Sequence, residues 1–152
     1  MKAFHFPLKR VLALRRTQLE LEEARYKQQT AELAALDRSR AEIEAAGIRA
    51  EAQVREWNPV AGHELSALGA FRLHVKAQEA NLTLKRMECA RKLAEQQRVM
   101  LEAQRRCRLL ERLQERRLAE WRVLRDQEIE ELAAESYRAR WVAQKAGGTI
   151  GE

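Results

Sequence analysis

Proline and glycine are scarce in this 152-residue chain, with two of the first and six of the second. These residues punctuate turns, so their scarcity leaves few places for the backbone to reverse. Aromatic residues make up only 5%, too few to fill a layered core. A compact fold of many short elements is thereby excluded, and an elongated all-α molecule is expected. There are only two cysteines, Cys89 and Cys107. Eighteen residues apart on one helix, their Cα atoms would stand about 27 Å apart, beyond the roughly 7 Å reach of a disulfide. They read as small apolar residues of a reducing compartment. No Cys-x-x-Cys pair and no histidine pair at helical spacing occurs, so no metal site is expected. Ser39, Ser66 and Ser136 lack a glycine-rich elbow, and no phosphate-cradling loop is present. These absences point away from an enzyme, and no cofactor or small-molecule substrate is expected. No run of 18 apolar residues could span a bilayer. The start, with its basic residues but no unbroken apolar stretch, does not resemble a signal peptide. A cytoplasmic location follows.

What is present is a long heptad pattern rich in Ala, Leu, Glu, Gln and Arg, the composition of coiled coils. Pro7 suits a first helical turn. One seam of the first helix then reads Leu12, Leu19, Tyr26, Leu33, Arg40, Gly47 and Val54. Its companion reads Leu8, Arg15, Glu22, Gln29, Leu36, Ile43, Ala50 and Trp57. The polar members make this a weak zipper and call for a matching partner helix. Asn58-Pro59 stops the helix, because a residue before proline is pushed out of the α region. Ser66 is a candidate N-cap if the next helix starts late. The second helix carries Leu68, Val75, Leu82, Cys89, Gln96, Ala103, Leu110, Arg117 and Leu124 on one seam position. Leu65, Arg72, Glu79, Arg86, Leu93, Met100, Cys107, Gln114 and Trp121 occupy the other. Beyond Leu110 the stripe drifts through Leu113, Leu118, Trp121, Ile129 and Leu132, as in a helix departing from a strict 3.5 period.

The pattern predicts one coiled-coil domain over 1–152: helix 8–57, turn 58–64, helix 65–144 and a flexible tail 145–152. A single turn between two long helices makes an antiparallel coiled-coil hairpin whose second helix is the longer, about 120 Å against 75 Å. Trp57 is expected to pack at the turn against Leu65, and facing the two sets a register that pairs Leu12 with Leu110, Leu33 with Cys89, and Val54 with Leu68. Trp121, Ile129, Tyr137 and Trp141 then overhang without an intramolecular mate, and unpaired apolar residues on a helix are candidate contacts for other proteins.

Net charge is +6, unevenly placed. From Lys85 to Arg125 there are thirteen Lys/Arg and six Asp/Glu, whereas Asp126 to Glu135 holds five acids and no base. The glutamates interleaved in the basic stretch favour a salt-bridged helix face over a nucleic-acid arm. Arg105, Arg106, Arg108, Arg112, Arg116 and Arg117 still admit a second use, along nucleic acid or an anionic membrane surface. A generic coiled-coil linker or dimerisation module is a third.

The opening Phe4-x-Phe6-x-Leu8-x-x-Val11-Leu12-x-x-Arg15 resembles the start of the FliJ family of flagellar export proteins. The stretch from Leu110 to Trp121, then Gln127-Glu128 and Glu130-Glu131-Leu132-Ala133, is similar to that family's C-terminal signature. The resemblance covers nearly the whole chain and implies a cytoplasmic part of the type III export apparatus, held peripherally at the inner membrane of the flagellar base. It implies a stalk-like coiled coil whose partners are the export ATPase ring, the cytoplasmic domain of the membrane export gate, and export chaperones. The family's gate-binding stripe falls on Phe71 and Val75. Gln78 and Leu82, the next positions, depart from it. Under the same resemblance, Arg116, Arg117, Trp121, Arg125 and Ile129 become candidate contacts for the ATPase ring, since the charge reversal gives the tip an oriented pattern.

Overall fold

The computed structural model describes residues 2–57 and 59–147. They form two α-helices that pack against each other, α1 (Lys9–Glu56) and α2 (Gly62–Gly147), and the described residues contain no strand. Helix is the expected outcome of long alanine, leucine, glutamate and arginine runs, all strong helix formers. No helix among the described residues is long and apolar enough to cross a membrane.

Helix boundaries follow local hydrogen bonding. The Lys9 N–H donates to Phe6 O at 3.1 Å and Leu12 N–H to Leu8 O at 2.9 Å, opening α1 just after Pro7. At its other end Trp57 N–H donates to Val54 O at 3.2 Å, a tightened last turn before Pro59. α2 begins at Gly62, three residues before the expected Leu65. The reason is Glu64, whose carboxylate accepts the Ala61 N–H at 2.9 Å, while Ala61 O takes the Glu64 and Leu65 N–H groups. This is the glutamate half of a capping box, with Ala61 as the cap. Ser66 therefore lies inside the helix and caps nothing. α2 also runs on to Gly147 rather than ending at 144. Asn58 and residues 148–152 of the expected turn and tail lie outside the described residues.

By their packing the described residues fall into two compact units, one within 1–16 and 105–152 and the other 17–104. The even heptad pattern gives no hint of this division. In the unit 17–104 the expected seam residues Leu33, Leu36, Val75, Leu82, Cys89 and Leu93 are half-buried, and no side chain is fully enclosed. Two helices cover only one side of each other, so the rest of every seam residue stays in water. Polar seam positions are matched across the pair. Gln96 Nε2 donates to Glu22 O at 3.2 Å and also to the Glu22 carboxylate. Arg86 reaches Asp37 at 2.6 Å, and Arg72 reaches Glu51 at 2.9 Å. Cys89 Sγ lies 3.9 Å from Gln29 O. Such exposed ion pairs contribute little stability, but together with the Gln96–Glu22 layer they favour one register. Arg40, Leu65, Arg72 and Trp57 were expected in the seam and are exposed instead. Trp57 retains 42% of its surface and Leu65 54%, so the tryptophan is not buried at the turn as anticipated.

In the unit comprising 1–16 and 105–152 lie the only deeply buried side chains among the described residues: Phe6, Leu12 and Cys107, each below 5% exposed. Leu110, Leu113, Gln114, Leu118 and Trp121 are half-buried, so the drift of the stripe past Leu110 is realised as far as Trp121, whereas Ile129 and Leu132, expected to continue it, are exposed. Arg117 and Leu124 were expected in the seam and face water instead, because the contact stripe has drifted off the strict 3.5 period by this level. Arg16 and Glu111 are joined by an ion pair of 3.1 Å. From Asp126 to Gly147 every residue of the helix is exposed.

Candidate protein-interaction surfaces

The first surface lies in the unit 17–104 and is built around Gly47. A Cβ placed on Gly47 would lie 3.7 Å from Val75 Cγ1, an ordinary van der Waals distance, so α1 faces Val75 of α2 at this level with room for a methyl group. Ile48 and Phe71 flank the contact, and with Glu44, Val75 and Lys76 they line an open groove. Val75 is half-buried, whereas Phe71 keeps 37% of its surface and Ile48 63%. The Arg72–Glu51 ion pair ties the two helices beside the groove. Phe71 and Val75 are thus brought together as their spacing of four predicts. Gln78 is exposed and Leu82 half-buried. Ile48 was not among the expected site residues. Its signal was its place beside the seam position Gly47, which lines the same groove.

The second surface belongs to the unit comprising 1–16 and 105–152. Here Trp121 does not lack a mate, which corrects the expectation of an unpartnered overhang at this residue. Its Nε1–H donates to Lys2 O at 3.2 Å, and the Phe4 ring lies 6.0 Å from its centroid at a tilt of 55°. The extended segment before Pro7 therefore folds against α2 and covers one side of the indole. The tilt avoids stacking two negative ring faces. The guanidinium of Arg125 lies 5.3 Å from the Trp121 ring centroid and donates to Asp126 Oδ1 through Nε at 2.9 Å and Nη2 at 2.8 Å. A cation placed between a ring face and a carboxylate is oriented by both. Arg117 pairs with Glu120 at 3.3 Å. Arg116 is exposed, and Ile129 keeps 54% of its surface. The structure thus groups Trp121 with Arg125, while Arg116, Arg117 and Ile129 stand on the outer faces of the same helix. Sequence reasoning missed Phe4 and Lys2 as parts of this cluster. The signal was the Phe-x-Phe pair ahead of Pro7, apolar residues that no heptad position accounted for.

The basic stretch is engaged with acids on its own surface: Lys92 with Glu88 at 3.3 Å, Arg91 with Glu95 at 3.5 Å, and Arg117 with Glu120. Both cysteines are free. Burial raises the pKa of the Cys107 thiol, and the nearby Glu111 charge raises it further while Arg16 opposes. Such a thiol stays protonated and is a poor nucleophile. Among the described residues no three His, Cys, Asp or Glu side chains gather as a metal site. The grooves are open surfaces lined by mixed apolar and charged side chains. No protein-family model, curated protein or solved structure matches this chain.

Proposed function

We propose that this chain is a non-catalytic stalk of a flagellar type III export apparatus, an antiparallel coiled-coil hairpin with a longer second helix. One end would engage the export ATPase ring, and a side groove would engage the cytoplasmic domain of the export gate and escort chaperones. The observation that carries the reading is the exposed helical stretch from Asp126 to Gly147. It follows directly on the Trp121–Arg125 cluster and begins where the charge reverses. A tip that meets a folded ring needs regular helix, exposed apolar residues and an oriented charge pattern. The cross-helix partners support the hairpin: Glu22 with Gln96, Asp37 with Arg86 and Glu51 with Arg72 all lie within about one helical turn of the predicted register. The pairing of arginines with neighbouring acids favours a protein surface over a polyanion site.

Titrating the purified chain against the export ATPase tests the first contact. The hydrolysis rate rises with chain concentration and saturates. An ATPase that does not respond, together with tight DNA binding at physiological salt that falls steeply as salt is added, would make the arginine stretch a polyanion site instead.

The gate contact is tested on Phe71, which is more exposed than Val75 and so less committed to the fold. Phe71→Ala weakens binding to the gate's cytoplasmic domain by roughly tenfold or more, as expected for an aromatic anchor, with helicity unchanged. Calorimetric titration against circular dichroism separates the outcomes. Equal affinity removes the gate assignment, and a large fall in helicity makes Phe71 a packing residue.

A further inference from the structure

α2 carries a second stripe on the face away from its seam, within the unit comprising 1–16 and 105–152. Its apolar members are Leu109, Val123 and Leu124, which keep 66%, 57% and 59% of their surfaces, and the half-buried Leu113 of the contact stripe lies at its edge. Val123 and Leu124 form the floor of an open groove with Ala119, Glu120 and Gln127. Residues at equal distances on either side of this groove are complementary in kind. Counting outward from the Val123–Leu124 step, the stripe meets Glu120 and Gln127, then Arg116 and Glu131, then Leu113 and Ala134, then Leu109 and Arg138. Each step outward is three or four residues on both sides, the spacing that keeps residues on one helix face.

Complementary residues at equal distances are what a two-fold axis requires, since in an isologous contact residue i meets j and j meets i. We infer that two copies of this chain pair through this face, their α2 helices antiparallel, with Val123 of each copy against Leu124 of the other at the axis. Glu120 then meets Gln127, where the amide can donate to the carboxylate. Arg116 meets Glu131 of the second copy, and the pair occurs twice by symmetry. Leu113 meets Ala134, and the aliphatic stem of Arg138 lies over Leu109. Neither Arg116 nor Glu131 forms an ion pair within the described residues of its own chain.

Charge selects a second copy as the occupant and fixes its direction. Residues 105–125 hold eight arginines and three glutamates, and 126–135 hold five acids without a base. An antiparallel copy lays each acidic block beside a basic one, whereas a parallel copy would set like on like. The inference rests on this face alone and does not depend on the export reading.

Sedimentation of the full chain from about 1 to 100 μM, spanning micromolar affinity, reads the pairing directly. A concentration-dependent dimer is expected. Arg116→Glu or Glu131→Arg alone sets like charges opposite one another twice and weakens the dimer by roughly tenfold or more. The double variant Arg116→Glu/Glu131→Arg restores the pairs in reversed sense and recovers the dimer, with circular dichroism confirming that each variant is folded. Val123→Asp places two carboxylates near the axis and removes the dimer. A chain that is monomeric throughout this range overturns the inference. So does a dimer indifferent to these substitutions, or a double variant as weak as the singles.

Discussion

Replacing Leu12 with alanine is expected to lower the stability of the unit containing residues 1–16 and 105–152 by about 2–5 kcal/mol, the usual cost of truncating a buried leucine. Leu12 keeps only 2% of its surface, the least of the buried side chains among the described residues. It shares that deep burial with Phe6 and Cys107 alone, so few other side chains can take up the loss. The comparison is Leu14→Ala, two residues along the same helix, where 56% of the side chain is already in water. That substitution should shift stability by less than about 0.5 kcal/mol. Thermal unfolding followed at 222 nm, with amide exchange at 107–121 set against 29–36, reads both the size and the place of the effect. If the two variants melt together, the burial at Leu12 contributes nothing special and the packing of this unit is wrong.

Ending the chain after Asp126 is expected to return the export ATPase to its unstimulated rate while leaving the packed part of the unit intact. The truncation keeps the Trp121 indole with its Lys2 and Phe4 contacts, and it keeps the Arg125–Asp126 pair. The described residues that it removes, 127–147, are exposed throughout, including Ile129, Leu132, Tyr137 and Trp141. A cut before Trp121 would be a poorer experiment, because it would also strip the partner from Phe4 and confuse lost contact with lost folding. ATPase rate against chain concentration at two salt levels gives the answer. A stalk tip acting by shape loses its effect on truncation at both levels, whereas a charge-driven effect survives truncation and fades with salt. Full stimulation by the truncated chain would place the active end elsewhere.

Much of the helical pattern was legible because heptad spacing is a local property. The half-buried positions at Leu19, Tyr26, Leu33, Leu36 and Ile43, and at Leu82, Cys89, Leu93 and Met100, are those the period selects. Even the polar seam residues Glu22, Gln29 and Gln96 sit where the period puts them. The errors cluster where something non-periodic intervenes. Trp57 and Leu65 were assigned to a packed turn, but the reach of Glu64 back to Ala61 starts α2 early and leaves both residues more than two-fifths exposed. Phe71 and Val75 are joined on one face by spacing alone, yet the groove beside them depends on Gly47 and Ile48 from the other helix. No pattern within α2 can report that.

The sequence by itself determined that the chain is helical, that two helices form and where most of the contact stripe runs. Each of these depends on interactions between residues three or four apart, which the order of residues specifies directly. Only the tertiary structure decided which surfaces are occupied. It turned Phe4 and Lys2 onto Trp121, closed α1 on Val75 at Gly47, and concentrated deep burial at Phe6, Leu12 and Cys107. It also left Val123 and Leu124 in water on the far face of α2. These outcomes join residues far apart along the chain, up to 119 positions in the case of Lys2 and Trp121. Contacts of that range depend on how two helix faces meet, and the periodicity of either face is blind to it.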